Sequence, residues 1–467
     1  MKATVLLSKR DRSGAPAAVH EALRRRGLDV ERRSRARSPE SDVVICRGEP
    51  GGQASGRTAV AALVINPLAA AKRASSPEET ARLLHLHGIP VNPDRLPPGA
   101  VRPAASPPDD GFARVRIHVA DLAVVAVDDE KGALRSVPRS KRDRIEEGAC
   151  RAVYLLGLHY GAVDIAVRPS GRWRVERVDP RPDVDEALAA AYGSRIAAMA
   201  EAWAHGSEGA RDAVLGADPE FALAASGGKL LYASRYVPHA GLVGYDRQSR
   251  ANRGSVFPLA ELRPAPSPSP HVLAANVEAA LKKAKDLLPA RGASWIAGSF
   301  PLGQFPAGGH VHFSGTPLTT PFLQALDNYL GLPVMLLEQK QRAKRRRRRY
   351  GRAGDFRRKE HGGFEYRVLP SWIVSPEATL AALALAKCVA AEWPGLSRNY
   401  LSSQQAIREF YLSRKARFRA IYPRLMGAVL RTPTGARFRR ELEYFTRMVE
   451  AGEEWRDDKD IKAAWRI

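Results

Sequence analysis

Three short stretches in the second half of the chain leave little choice about their local backbone: Asp218-Pro219-Glu220, Gly308-Gly309-His310-Val311-His312-Phe313 and Phe364-Glu365-Tyr366-Arg367. Each alternates ligand-type side chains with apolar ones. That is the period of a β-strand, in which successive side chains point to opposite faces. As strands, they put Asp218 with Glu220, His310 with His312, and Glu365 with Arg367 on one face each. Three such strands in one sheet would aim carboxylate, imidazole and guanidinium groups into a single cavity. Buried carboxylates repel one another, and a divalent ion neutralises them best. The Arg beside Glu365 answers the opposite need, binding phosphate or carboxylate oxygens through two donors. The combination suits phosphoryl transfer.

A lone Asp-x-Glu is usually a solvated strand face, and a lone His-x-His is as often structural as ligating. Order, spacing and flanks carry the rest. The glycines before His310 let backbone approach closely, and Ser314-Gly315 reads as a closing turn. After the third stretch, Val368-Leu369-Pro370-Ser371-Trp372 leads through Pro376 into an Ala/Leu-rich helix up to Ala391. This order resembles the glutamine-synthetase superfamily of carboxylate–amine ligases, whose site is built from an acidic-x-acidic strand, a Gly-x-His-x-His strand and a Glu-x-Arg strand followed by a Pro-flagged helix. Gly216 to Phe221, Glu261 to Pro264, Gly309 to Ser314, Tyr350 to Gly354 and Glu365 to Pro370 resemble more closely still the phage-type amidoligases of that superfamily. The likeness covers about residues 211 to 467.

The resemblance implies roles. Asp218 and Glu220 fall where first-strand acids hold two divalent ions, although the first is commonly Glu. His310 and Glu365 fall on the metal-binding His and Glu, Glu261 on an acid completing the first metal site, and His312 near the nucleotide phosphates. Arg263 would lie on the substrate side. Arg367, with Arg352 and Arg357 from the intervening loop, would hold the transferred phosphoryl group and the carboxylate; a surface cation is the plain alternative for Arg263 and Arg352. The implied cofactors are ATP and a divalent ion, and oxygen-rich coordination with one imidazole points to Mg²⁺ or Mn²⁺ over Zn²⁺.

The chemistry expected of such a site follows from what an amide bond requires. A carboxylate at neutral pH is a poor electrophile. It attacks the γ-phosphorus of ATP to give an acyl phosphate, and an amine then displaces phosphate. Charge neutralisation dominates such transfers. No enzyme nucleophile is needed, and the chain has no Gly-x-Ser-x-Gly and no cysteine in an activating motif.

A chain of 467 residues is too long for one ordinary core and suggests two domains. Cys46, Cys150 and Cys388 are far apart and show neither disulfide nor zinc spacing, so a reducing cytoplasm is the expected location. The apolar run at the start is too short for a signal peptide, and no segment is apolar long enough to span a bilayer. Ala378 to Ala391, interrupted by Lys387, reads as a core helix.

The charge excess is 74 basic against 50 acidic residues, +24 in all. Such a field attracts nucleic acid, anionic cell-wall polymer or acidic peptide without choosing among them. It peaks at Lys344 to Arg349, read as part of a loop. A nucleic-acid module would interleave aromatics, and only Tyr350 and Phe356 are at hand, so an anionic-substrate loop is favoured.

The first half is a different unit. Thr4 to Leu7 reads as a strand, Pro16 to Arg26 as a helix and Asp42 to Cys46 as a second strand, an α/β alternation. Asn66-Pro67-Leu68 opens a helical stretch through Leu86. Val115 to Val119 and Leu122 to Val127 form a hairpin-like pair, and Glu146 to Leu156 a helix. Gly157 to Ala166 and Trp173 to Pro182 follow. This pattern resembles the ATP-grasp family, with Asp164 and Asp179 at metal-binding positions. Arg177 stands where that family has a metal-binding Glu, and a Pro-rich connector after Pro93 replaces the lysine-bearing small domain. An Arg there would repel the ion, so the half reads as an inactive remnant; an unrelated Rossmann-like α/β domain is the alternative.

His205 to Arg211 reads as a linker. Prolines at 264, 266, 268 and 270 make the next stretch extended, helix follows from Val272 to Leu288, and Gln404 to Arg431 and Gly435 to Glu450 read as helical. Trp455 and Trp465 are expected to be packing anchors. The expected architecture is thus an α/β, degenerate ATP-grasp-like domain over 1–205 and an α+β, glutamine-synthetase-like domain over 211–467, an antiparallel sheet with helices. Its function would be ATP-dependent ligation of a carboxylate and an amine, the partners being peptide, cell-wall or spore-coat material. A catalytically dead scaffold and a nucleic-acid-binding protein are the alternatives.

Overall fold

A computed structural model of the chain describes residues 3–7, 21–22, 25, 41–47, 62–96, 111–209, 213–247, 256–289, 292–360 and 362–467. Its contacts divide the chain into two compact units, Met1–His205 with Thr319–Pro321, and Gly206–Leu318 with Phe322–Ile467.

In the first unit, β1 (Ala3–Leu7), β2 (Ser41–Arg47) and β3 (Ala62–Pro67) form one antiparallel sheet in chain order. A second antiparallel sheet has the order β5-β4-β6-β7, from β4 (Ala113–Ala120), β5 (Ala123–Asp128), β6 (Tyr160–Val167) and β7 (Trp173–Asp179). The helix Arg139–Leu155 packs its Ile145, Ala149 and Ala152 side against this sheet, where Ile117, Val119, Val163 and Ile165 are buried. The helical stretch expected to begin at Asn66 begins instead at Leu68, because Pro67 ends β3. It is also broken, into Leu68–Ala74 and Pro77–Leu86. Ser76 caps the second piece by accepting from the Glu79 amide, and Pro77 takes the first helical position, where a missing N–H costs nothing. The helix read over Pro16 to Arg26 lies outside the described residues except at 21, 22 and 25, as does the Pro-rich connector over 97–110.

The stretch expected to be a linker is helical as far as Gly209, continuing the helix Glu186–Gly209. Its start, Glu-Ala-Leu-Ala-Ala-Ala, is strongly helix-forming, and elongation is easy once a helix is nucleated. Gly206 serves packing rather than flexibility, since a Cβ there would lie 2.9 Å from both Pro394 and Trp393.

The second unit is built on an eight-stranded sheet of β8 (Val214–Ala225), β9 (Leu230–Leu231), β10 (Val243–Tyr245), β11 (Leu259–Leu262), β12 (Ala293–Ile296), β13 (Gly309–Ser314), β14 (Phe356–Arg358) and β15 (Phe364–Tyr366). The main order is β10-β11-β8-β13-β15-β14, all antiparallel, with β9 and β12 also paired to β8. Pro219, which has no N–H to give a ladder, sits where β8 passes from partners on β13 to partners on β12.

The period-two alternation divides this sheet into a chemical face and a packing face. Opposite His310, His312 and Glu365 lie Val311, Phe313, Phe364 and Tyr366, all buried. Phe313 stacks on Phe364 at 5.2 Å, and Phe322 meets both edge-on at 5.6 Å. The helix Pro376–Glu392 is buried along most of its length against Pro270–Leu287 and Arg439–Ala451, as expected of a core helix; its Lys387 donates to the Ala213 carbonyl at 2.7 Å. Gln404 to Arg431 is two helices, Gln404–Tyr411 and Ala416–Leu430, parted near Ser413 at φ 49°. Trp455 and Trp465 are buried, their indole N–H groups donating to Tyr444 and to the Ile373 carbonyl. Among the described residues, no helix is long and apolar enough to cross a membrane, and Cys150 and Cys388 are buried thiols.

The basic run is the largest departure from expectation. Lys340–Arg349 is an α-helix, not a loop, and Arg346 and Arg347 are fully buried in it. Arg346 donates to the carbonyls of Ala307 (2.8 Å), Val368 (2.7 Å) and Leu369 (2.5 Å), tying the approach to β13 to the exit from β15. Arg347 pairs with buried Glu338, donates to Ser413 at 2.8 Å and lies 4.5 Å from the Phe410 ring centre. Arg retains its charge on burial because its pKa is so high, and here carbonyl, carboxylate and hydroxyl oxygens meet most of the donors. A run of like charges in sequence therefore separates into a buried pair and an exposed remainder.

Candidate active site

The strand registers align the polar residues across the sheet. Glu261 on β11 is opposite Glu220 on β8, His310 on β13 is opposite Asp218, His312 is opposite Glu365 on β15, and Glu365 is opposite Arg357 on β14. Residues directly opposite in an antiparallel pair share a face, so these side chains converge. His310 Nδ1 lies 2.7 Å from Asp218 Oδ1 and 3.3 Å from Glu365 Oε1, and His312 Nε2 lies 3.0 Å from Asp218 Oδ2. Three ligand sets each come within 4.8 Å: Asp218, His312 and Glu365; Asp218, Glu261 and His310; and Glu220, Asp246 and Glu261. Close backbone approach makes this possible. A Cβ on Gly308 would collide with the His310 ring, and one on Gly309 with the Pro370 carbonyl and Trp372. The Gly308 N–H donates to Glu220 Oε2 at 2.7 Å.

These groups open on a cavity of about 430 Å³ lined by Asp218, Asp246, Glu261, His310 and Glu365 below, and by His239, Arg247, Arg263, Arg357 and Lys359 around them. Arg263 is ion-paired with Glu261. Lys359 Nζ is 2.7 Å and Arg357 Nη1 3.4 Å from Glu365 Oε2, while Arg367 Nε is 3.1 Å from Glu365 Oε1. Arg352 is not among the cavity's lining; it donates to the Arg348 carbonyl at 2.8 Å. Arg357 is on β14 rather than in a loop.

Burial acts to raise Asp218, Glu220, Glu261 and Glu365, and their neighbours then separate them. Glu220 is pushed well above the usual range by burial and by the charges of Asp246 and Glu261. Glu261 is pushed up to about 8 by burial and Asp218, against the pull of Arg263. For Asp218 the burial effect is outweighed by His310 and His312, which hold it well below its ordinary value, and for Glu365 it is outweighed by His310, Lys359 and Arg367.

The donor set fits a hard divalent ion. It is mainly carboxylate with imidazole, and it is buried. Asp218 Oδ1 and His310 Nδ1 face each other at 2.7 Å, with Glu365 Oε1 3.3 Å from the same nitrogen. An octahedron built on bonds of about 2.1 Å has ligand–ligand edges of about 3 Å, comparable to these separations.

Sequence reasoning missed Asp246, Lys359, Arg247, His239 and the link through Tyr350. Arg357-x-Lys359 has the same period-two signal as the three motifs and was there to be read. Asp246 sits just after β10, two residues beyond Gly244, which is opposite Glu261; only the register reveals it.

With this geometry in view, the carboxylate–amine ligases are the class to which the second unit answers. The chain belongs to the phage phiEco32-like COOH.NH2 ligase-type 2 family, whose model matches residues 215–467. Similar solved structures are a bifunctional glutathione synthetase from Pasteurella multocida (10% identity, 56% of this chain and 52% of that one, TM-score 0.33) and the macrocyclase MdnB from Microcystis aeruginosa MRC (15% identity, 41% and 96%, TM-score 0.25). A third is the macrocyclase MdnC of the same organism, bound with precursor peptide MdnA (13% identity, 40% and 96%, TM-score 0.24). The chain thus spans about half the length of the glutathione synthetase it matches. No curated protein matches the sequence.

Proposed function

We propose that the second unit, over residues 211–467, is an ATP-dependent amidoligase that joins a carboxylate to an amine through an acyl phosphate. The observation that carries this reading is the convergence of Asp218, Glu261, His310 and Glu365 on one cavity that Asp246 also lines, together with the cationic side chains of Arg263, Arg357 and Lys359. Asp218, Glu220, Glu261, His310 and Glu365, with Asp246, would hold Mg²⁺ or Mn²⁺, which when bound supplies charge neutralisation for phosphoryl transfer. Arg367, Arg357 and Lys359 would face the γ-phosphoryl group and the substrate carboxylate, and His312 the nucleotide phosphates. Arg263, released from Glu261, would serve the substrate side. Arg352 is assigned no contact with substrate.

In this scheme the substrate carboxylate oxygen bonds to the γ-phosphorus as the bond to ADP breaks. The amine then attacks the acyl carbon, phosphate leaves, and the amine proton passes to a base. The cations nearest the transferring group act without reorganising, the usual source of rate in such sites. A peptide, cell-wall or spore-coat component is the substrate class in view, in the cytoplasm. We further propose that residues 1–205 form a degenerate ATP-grasp-like domain that binds substrate or partner without catalysing. The nucleic-acid reading loses its main support with Arg346 and Arg347 buried.

An ADP-release screen of the full chain with Mg²⁺, against panels of carboxylate and amine donors, tests the proposal. Turnover that requires one donor of each kind is expected. Mn²⁺ binding without ADP release under any pair would favour a catalytically inactive scaffold instead.

A further inference from the structure

Tyr350 opens one of the family-like stretches, yet the scheme above gives it no task. It follows the Arg-rich helix directly, with its N–H donating to the Arg346 carbonyl at 2.8 Å. The next residue, Gly351, has φ +67°, and a Cβ there would run into the Arg346 guanidinium, so the turn that places Tyr350 needs glycine. The ring is held between cations, with the Arg346 and Arg367 guanidinium carbons 5.5 and 5.0 Å from its centre. Its hydroxyl is 2.7 Å from His310 Nε2 and accepts from Arg367 Nη2 at 2.5 Å.

The position of that hydroxyl has a consequence for His310. The imidazole has two nitrogens, and Nδ1 is the one turned toward Asp218 and Glu365. If Nδ1 offers its lone pair to a cation, the ring must carry its proton on Nε2, and that N–H needs an acceptor. Among the described residues, the hydrogen-bond partner of Nε2 is Tyr350 Oη; Glu220 Oε1 is 3.9 Å away. Ligating histidines commonly donate their second N–H to a fixed oxygen, which sets both ring orientation and tautomer.

We propose that Tyr350 is a positioning residue: its hydroxyl holds His310 so that Nδ1 faces the carboxylates, and it joins that imidazole to Arg367 through one shared oxygen. The inference rests on the metal-binding reading above and goes beyond it in assigning the partner of the second ring nitrogen. It also explains why a family-like stretch begins at Tyr350: the helix held by Arg346 carries it.

The test is Mn²⁺ binding to the full chain, followed by electron paramagnetic resonance, for wild type, Tyr350→Phe, His310→Gln and the double variant. Phe keeps the ring and its cation contacts, so the melting temperature should hardly move. Affinity should fall by about 10- to 100-fold in Tyr350→Phe, the usual result of removing such a partner. In the His310→Gln background the same change should have little effect, because the hydroxyl acts through His310. A merely structural role would weaken binding equally in both backgrounds, and that result would overturn the proposal, as would Tyr350→Phe binding as tightly as wild type. Wild type that binds no Mn²⁺ at all would remove the metal-binding reading, and this inference with it.

Discussion

Both units carry acidic residues on antiparallel strands, and the two groups are neutralised in opposite ways. In the first, Arg116 spans Asp164 (2.9 Å) and Asp179 (2.7 Å), and Arg177 reaches Asp179 at 2.8 Å and Asp164 at 3.4 Å. Two carboxylates and two guanidiniums close on each other, because Arg116 and Arg177 are the residues opposite Asp164 on the neighbouring strands. In the second, more carboxylates share one cavity, Glu261 and Glu365 have cations beside them, and among the described residues no Arg or Lys is ion-paired with Glu220 or Asp218. A row satisfied by its own arginines has no use for an ion; a row that is not retains a demand for positive charge.

The sharpest way to break this contrast is to remove one acid from each row. Glu220→Ala should abolish Mg²⁺-dependent ATP turnover in the full chain while the fold persists. Asp164→Ala should leave turnover within about twofold and cost only stability, as partly exposed ion pairs contribute little. ADP release measured side by side decides it, and the reverse pattern would mean that the chemistry had been assigned to the wrong half.

Next in size is Arg367→Ala. Removing one electrostatic stabiliser of a transferring group lowers the rate constant by something on the order of a hundredfold or more. Single-turnover rates at saturating Mg²⁺ and ATP check this. A change in KM alone would reassign Arg367 to ground-state binding.

Glu261 gives the same contrast a pH signature. Its folded pKa, about 8, lies above its ordinary value, so the folded protein holds a proton that the unfolded chain has released. Stability of the metal-free chain on this account falls as pH rises from about 5 to 8. Asp179 has a lowered pKa, burial being outweighed by Arg116, Arg177 and the Arg181 amide, so its contribution is lost only as pH falls. Melting curves should show a loss on the order of several degrees between pH 5 and 8, mostly restored by Mg²⁺. Insensitivity to Mg²⁺ at pH 8 would break the link between the raised carboxyls and a cation.

How far the sequence could be read follows from the same physics. The three alternating motifs were legible because strand periodicity and register are one fact: once Asp218 and His310 face the same way, Glu220 and His312 must as well. Asp246 and Tyr350 were not, since each joins the site through a chain segment whose direction the local pattern does not show: it is set by the pairing of β10 with β11 for one, and for the other by the end of a helix anchored through the buried Arg346. The linker was misread because Gly206 has two meanings in sequence, flexibility and close packing, and Pro394 and Trp393 select the second. The Arg run was misread for a similar reason. Composition gives charge but not the carbonyls that could satisfy it, and those of Ala307, Val368 and Leu369 come from separate segments.

That last point supports the smallest and most discriminating prediction. Arg345, Arg348 and Arg349 are the exposed members of the run, whereas Arg346 and Arg347 are buried. Replacing Arg345 and Arg348 by Gln should leave the melting temperature nearly unchanged. It should weaken capture of an anionic substrate by a few-fold at low salt, fading toward nothing above about 0.5 M salt, where screening acts within a few ångströms. Arg346→Met should do the reverse, lowering the melting temperature at every salt concentration because three backbone carbonyls lose their donor. If instead the Gln variant lost DNA or RNA affinity with a steep log–log dependence on salt, while ADP release was absent under every donor pair, the exposed part of the helix would be a nucleic-acid surface after all.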